Sequence, residues 1–100
     1  MRLKDKKIVV TGGASGIGGA AAICCAREGA QVAVVDLDRE GVDGTVQAIE
    51  AAGGSAQGFG VDVQEEAQVR SFFEEIGGAL GHVDCVIHAA GILEGALVPV

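Results

Sequence analysis

The segment that decides the fold is KIVVTGGASGIG, residues 7–18. Its β-branched beginning predicts a buried strand over 7–11. The glycines that follow let the backbone turn and approach a ligand without a Cβ in the way. The alanine-rich stretch beyond them predicts a helix over 16–28, whose free N–H groups and positive dipole end would face the loop. Strand, glycine loop and helix start together favour a binding site for a pyrophosphate.

Other glycine motifs fit this segment less well. A P-loop requires Gly-Lys-Ser/Thr at its end, and no lysine follows Gly18. A nucleophile elbow requires Gly-x-Ser-x-Gly, and Ile17 stands where its last glycine belongs. A literal Gly-x-Gly-x-x-Ala match at 16–21 starts beyond the expected strand end and would run down the helix. We therefore favour the spacing Gly12-x-x-x-Gly16-x-Gly18, while an ordinary strand-to-helix turn is the alternative for the loop in isolation.

A second apolar run, 31–35, ends in Asp36. This acid follows the loop at close to the spacing of about 20 residues expected for the group that binds the adenosine ribose. A carboxylate accepts from both ribose hydroxyls and repels a 2′-phosphate. Neither Leu37 nor Ser15 is basic, so we predict NAD in preference to NADP, with Arg39 leaving NADP open. For Asp36 taken alone, the alternative is a solvated acid at a strand end.

Composition narrows the class of protein. The 100 residues suggest one small packed domain, with 49% hydrophobic residues and a net charge of −7. No basic patch favours nucleic acid, and no run of about 18 apolar residues predicts a membrane span. Cys24, Cys25 and Cys85 form no Cys-x-x-Cys pair. We interpret them as small core residues in a reducing compartment, the cytoplasm.

Strand and helix patterns alternate along the chain. Helical spacing of apolar residues predicts helices, and short β-branched runs predict strands. The expected strands are 7–11, 31–36, 55–61 and 83–89, and the expected helices are 16–28, 38–52 and 65–77. Gly29 and Gly53 would end the first two helices, and Phe72 and Phe73 would pack in the core. The pattern predicts an α/β fold, a doubly wound parallel sheet with helices on both faces.

Two further candidate segments follow strands three and four, at the edge where such sheets bind ligands. Asp62 can accept from an adenine amino group while Val63 packs on the ring. The alternative for Asp62 is a helix N-cap. The segment His88-Ala89-Ala90-Gly91 has small residues that would let a dinucleotide pass close to the backbone. His88 could act as a base or metal ligand, but structural packing is favoured because no partner cluster accompanies it.

These motifs, taken in order, resemble the short-chain dehydrogenase/reductase family over the whole chain. The resemblance implies a Rossmann-like sheet in the order 3-2-1-4, and a loop that holds the cofactor pyrophosphate. It implies NAD binding at Asp36 and adenine contacts after strand three. Where the family has Asn-Asn-Ala-Gly, this chain has residues 88–91, so the asparagine side-chain contacts are lost. The residues assigned to the cofactor are Gly12, Ala14, Ser15, Gly16, Ile17, Gly18, Asp36, Leu37, Asp62, Val63, His88, Ala89, Ala90 and Gly91.

The resemblance also implies what residues 1–100 lack. The family's Tyr, Lys, Ser and upstream Asn belong to a later part of its fold, and this sequence has no Tyr. No residue is assigned as catalytic, and no metal ligand is assigned. Strand four would be an open apolar edge that invites aggregation or self-pairing.

We therefore expect the cofactor-binding portion of a longer, oligomeric oxidoreductase that transfers hydride between NAD and a small alcohol or ketone. Residues 1–100 would form its truncated dinucleotide-binding domain and bind the cofactor without catalysis. The alternatives are a stand-alone nucleotide-binding or regulatory module, and a structural protein that kept the fold and lost the ligand.

Overall fold

A computed structural model describes residues 3–14, 16–62 and 65–89, which form one four-stranded parallel sheet in the order β3-β2-β1-β4. The order and the parallel pairing confirm the predicted doubly wound α/β fold. The strands are β1 (Lys7–Thr11), β2 (Gln31–Asp36), β3 (Ser55–Gly60) and β4 (Cys85–His88), and the helices are α1 (Gly16–Arg27), α2 (Arg39–Ala51) and α3 (Glu66–Leu80).

Helices α1 and α2 cover one face of the sheet. Strand residues that point to this face are fully or almost fully buried, because consecutive side chains of a strand alternate between its faces. Small alanines on α1 let that helix lie close to the sheet, while α2 contributes larger side chains. The buried cluster consists of Ile8, Val10, Ala22, Ala26, Ala30, Val32, Val34, Val42 and Ile49.

Helix α3 covers the opposite face. The intervening strand residues Val9, Ala33 and Val35 pack there with Phe72 and Ile76. The chain thus crosses one face of the sheet from β1 to β3 and the other face from β3 to β4. The direction in which strands are added therefore reverses between the neighbouring strands β1 and β4. In open α/β sheets a crevice forms at such a point, outside the carboxyl ends of the strands.

Two element boundaries differ from the prediction. Helix α3 continues through Gly77 and Gly78 and ends only at Gly81, which has a φ of 84°. Strand β4 is shorter than predicted, since Asp84 does not continue the strand. Instead the Asp84 carboxylate accepts from the Lys7 N–H at 2.8 Å, and the Lys7 carbonyl accepts from the Asp84 N–H at 2.8 Å.

The predicted core was wrong for three side chains. Phe73 is 40% exposed although Phe72 beside it is 4% exposed, because only one of two consecutive helical residues can face the sheet. Cys24 and Cys85 are exposed, and Cys25 is half-buried. Burial, followed by the neighbouring thiols of Cys24 and Cys85, raises the pKa of the Cys25 thiol, which keeps it protonated at neutral pH.

The described residues include no helix long and apolar enough to cross a membrane. In the same part of the chain, β4 pairs with β1 and has no strand on its other side. An apolar groove lies beside this edge, lined by Leu3, Ile8, Cys25, Cys85 and Ile87 together with charged Lys6 and Asp84. The expected open edge at strand four is therefore present in the described fold.

The glycines of α2 and β3 differ in the space around them, which predicts opposite effects of added methyl groups. A Cβ at Gly44 would meet no atom within 4 Å, whereas one at Gly58 would lie 2.6 Å from Cγ1 of the fully buried Val42. We expect Gly44→Ala to stabilise the chain by about 0.5–1 kcal/mol through helix propensity. Overpacking makes Gly58→Ala destabilising by about 1–3 kcal/mol.

Thermal unfolding followed by circular dichroism measures both effects, each of which corresponds to a shift of several degrees in a domain of this size. Equal shifts for the two variants would contradict the packing described for β3 against α2.

The Asp84–Lys7 contact predicts a loss of stability in acid. The backbone N–H of Lys7, and then the charges of His82 and Lys6, lower the pKa of Asp84 below its ordinary 3.8 despite an opposing desolvation effect. A carboxyl whose pKa is lowered on folding stabilises the fold above its unfolded value, and that stabilisation is lost as pH falls through the folded value. Asp84→Asn should therefore lower the denaturation midpoint at pH 7, and the two midpoints should converge at pH values below 3.8. Midpoints that stay parallel across this range would rule out the linkage.

Candidate cofactor site

The carboxyl ends of the four strands meet at one edge of the sheet. Thr11 at the end of β1 is paired in register with Val35 of β2 and with His88 of β4. Asp36 at the end of β2 is paired with Gly60 at the end of β3. The four strand ends, each followed by a segment singled out in the sequence, therefore lie at the same edge of the sheet.

The glycine loop crosses from β1 towards β2. Gly12 has a φ of 75°, a left-handed conformation that glycine adopts without the cost that a side chain would add. The Gly13 N–H then donates to the Val35 carbonyl at 3.0 Å. The buried hydroxyl of Thr45 on α2 donates to the Gly13 carbonyl at 2.9 Å. The turn is thus hydrogen-bonded both to β2 and to α2.

The two glycines at the start of α1 have different surroundings. A Cβ on Gly18 would overlap the carbonyl of Gly12 and lie 3.1 Å from the Cβ of Ala89. A Cβ on Gly16 would meet nothing within 4 Å. Gly18 therefore lets α1 begin in contact with the loop and with the end of β4, while Gly16 leaves open space at the helix entrance.

Asp36 is joined to the loop by hydrogen bonds. Its Oδ2 accepts from the Ala14 N–H at 3.1 Å, and its Oδ1 accepts from the Asp38 N–H at 3.1 Å. Asp38 in turn caps α2, accepting from the Gly41 N–H at 3.1 Å. One carboxylate therefore links the glycine loop, the end of β2 and the start of α2. It is not simply a solvated acid.

His88 has a partner that its sequence context did not reveal. Its Nδ1 lies 2.6 Å from the Thr11 hydroxyl, which is also 3.4 Å from the Ile87 carbonyl. This pair connects the ends of β1 and β4 at the point where the switch in strand order occurs. Ala89, the next residue, is fully buried against Gly18.

Asp62 follows β3 and is positioned by α3. Its backbone N–H donates to Oε1 of Gln68 at 3.0 Å. The alternative that Asp62 caps α3 is wrong, because Glu65 occupies the N-cap position, without a side-chain hydrogen bond there. The turn from Asp62 to Glu65 is closed by a backbone bond of 3.0 Å, so Asp62 lies one turn before the helix.

Two predicted contacts are apolar and open to solvent. Ile17 is 44% exposed and Leu37 is 69% exposed. Both lie at the edge described above, on the first turn of α1 and directly after β2. The remaining assigned residues Ser15, Val63, Ala90 and Gly91 lie outside the described residues.

Sequence reasoning missed the side chains that hold the site from the helices. Thr45 lies in the second turn of α2, and nothing in its spacing distinguishes it from a surface threonine. Gln68 likewise appears as one polar residue of an amphipathic helix. Asp38 gave a usable signal, since an Asp at the start of a helical pattern favours an N-cap. Among residues 3–14, 16–62 and 65–89, no group of three or more His, Cys, Asp or Glu side chains could hold a metal ion.

The sequence profile of the family described as short chain dehydrogenase matches residues 6–99. An uncharacterized oxidoreductase of Bacillus subtilis, YxbG, is 41% identical over 91 residues, which are 91% of this chain and 33% of that protein. The chain thus spans about a third of the length of several curated relatives, and less of others.

Solved structures agree with the sequence match. A metagenomic short-chain oxidoreductase in complex with NADP superposes with a TM-score of 0.83 at 30% identity, over 86% of this chain and 39% of that one. A 7α-hydroxysteroid dehydrogenase complexed with NADH has a TM-score of 0.82 at 32% identity, over 85% of this chain and 33% of its own. Since the family profile covers nearly all of residues 1–100 and the sheet order and glycine turn agree with it, the chain belongs to the short chain dehydrogenase family.

Proposed function

We propose that residues 1–100 are the cofactor-binding portion of an NAD-dependent oxidoreductase that transfers hydride between NAD and a small alcohol or ketone. The observation that carries the proposal is the joint placement of the Gly12 turn and the Asp36 carboxylate, connected through the Ala14 N–H. The glycine loop and the acid proposed to bind the ribose are thereby joined at one edge of the sheet. The matches to complexes of family members with NADH and with NADP support a dinucleotide as the ligand.

The start of α1 fits a pyrophosphate. Gly16 leaves open space where any other residue would place a side chain, and the first turn of α1 contains no acidic residue. The N–H groups of this turn and the positive end of the helix dipole favour an anion. Gly18 brings the helix against Gly12, so the phosphates would approach loop and helix together.

The Asp36 carboxylate fits an unphosphorylated ribose. It accepts one N–H on each oxygen, from Ala14 and from Asp38. An ionised carboxylate offers about four acceptor positions, so each oxygen retains one for a ribose hydroxyl. Its charge would repel a 2′-phosphate, and the neighbouring Leu37 supplies no compensating cation. These features favour NAD.

The remaining edge would hold the other cofactor groups. We assign Asp62 and Val63 to the adenine, and the backbone of the segment from His88 to Gly91 to the cofactor beside it. When bound, the nicotinamide ring supplies the hydride chemistry, and we assign no catalytic side chain among residues 1–100. The substrate site and an oligomeric, cytoplasmic enzyme are part of the same proposal.

The first experiment is a titration of the chain with NADH, followed by nicotinamide fluorescence and repeated with NADPH. We expect saturable binding with NADH preferred. A folded chain that binds neither dinucleotide would refute the proposed site and favour the structural alternative.

Asp36 variants test its role. Asp36→Ala removes the ribose acceptor together with the contacts to Ala14 and Asp38, whereas Asp36→Asn keeps one accepting oxygen, and so one of these two backbone contacts, while removing the charge. Hydrogen bonds to charged groups contribute about 1.5–3 kcal/mol, so NADH affinity should fall about tenfold or more in Asp36→Ala. NADPH affinity should fall less in both variants, because the repulsion of the 2′-phosphate is relieved. Equal losses for both dinucleotides would contradict the assigned role.

A further inference from the structure

Arg39, at the start of α2, lies across strand β3. Its Nη1 donates to the Gly58 carbonyl at 3.4 Å, and its Nε lies 3.5 Å from Oδ1 of Asp43 one helical turn further on. A Cβ built on Gly60 would come within 3.5 Å of the Arg39 Cδ. The arginine stem therefore passes over the glycine end of β3, and the guanidinium is held by a strand carbonyl and a helix carboxylate.

This position is next to the ribose acid. Gly60 is the register partner of Asp36, so the Arg39 stem crosses the sheet beside the end of β2. The bonded carbonyl belongs to Gly58, two residues earlier in β3, while a Cβ built on Gly60 would lie 3.9 Å from the same Nη1. The guanidinium is thus engaged by β3 and by Asp43 beside the edge where Asp36 would bind the ribose.

A cation beside the ribose acid could bind a phosphate group. A guanidinium binds phosphate through paired hydrogen bonds, and an arginine near the ribose acid accommodates the 2′-phosphate of NADP in this class of fold. Arg39 and Asp43 have side chains that are 61% and 56% exposed. The contact between them is consequently weak and breakable, as exposed ion pairs are.

We propose that Asp43 is a positioning residue for cofactor choice. It keeps the Arg39 guanidinium engaged over β3 and so less available to a 2′-phosphate, which adds to the repulsion by Asp36 in favouring NAD. This inference rests on the proposed dinucleotide site. It assigns selectivity to a residue on the second turn of α2 that contacts no part of the cofactor itself.

Asp43→Asn tests the restraint, and Glu40→Gln is its matched control. Both variants remove one negative charge from exposed positions near the start of α2, but only Asp43 contacts Arg39. The probes are NADH, NADPH, adenosine 5′-monophosphate and adenosine 2′,5′-bisphosphate, measured by isothermal titration calorimetry at low salt. Both variants are also measured in an Asp36→Ala background, in which the repulsion between Asp36 and a 2′-phosphate is removed.

We expect Asp43→Asn to strengthen binding of NADPH and of the 2′,5′-bisphosphate about two- to fivefold relative to Glu40→Gln. NADH and the monophosphate should bind as in the unchanged chain. Arg39→Gln should abolish the gain, so the double variant Arg39→Gln/Asp43→Asn should match Arg39→Gln alone. Added salt should reduce the gain because the pair is exposed.

The outcomes separate the two proposals. If NADH binds but Asp43→Asn behaves as Glu40→Gln does, or if its gain survives in Arg39→Gln, the restraint is overturned and the dinucleotide site stands. If circular dichroism shows folded chains and no probe binds to any of them, both proposals are overturned. A purely structural role for Arg39 would alter all four affinities together, or none, and would leave the NADPH-to-NADH ratio unchanged.

Discussion

The close approach of α1 to the glycine loop is the constraint on which the rest of the edge depends. Gly18 lies against the carbonyl of Gly12 and near Ala89, so any side chain there would push the helix off the ends of β1 and β4. The left-handed Gly12 turn makes the approach possible, because it folds the chain back over the strand end within a few residues. Helix start, loop and two strand ends are consequently one packed unit.

Around this unit, hydrogen bonds fix the positions of the helices relative to the strand ends more specifically than hydrophobic packing does. Asp36 joins the loop to β2 and to the cap of α2, while Thr45 joins α2 to the loop from its other side. Gln68 joins α3 to the segment after β3. Each bond spans two elements at the proposed ligand edge, and such cross-links reduce the conformational entropy that would be lost on binding.

Charge has a second role at this edge. The chain carries a net charge of −7, yet its proposed ligand is anionic. Repulsion of the phosphates would be small at the proposed site, since the first turn of α1 contains no acid and Asp36 would face the ribose hydroxyls. Arg39 lies close by but is engaged by β3 and Asp43. In the proposed site, the placement of these side chains, more than overall composition, would decide between NAD and NADP.

The sequence alone determined the alternation of elements, the parallel sheet and the glycine turn, because these follow from local periodicity and from glycine's freedom at Gly12. The Asp38 cap ahead of α2 was not predicted, although the same kind of local signal could have found it. The resemblance supplied the strand order. Local patterns failed where burial depends on which way a helix or strand is turned, as for Phe73, Cys24 and Cys85. The contacts of Thr11 with His88, Thr45 with Gly13 and Arg39 with Gly58 join residues far apart in the chain. Only the packing of helices onto the sheet brings such residues together, so only the tertiary structure decided them.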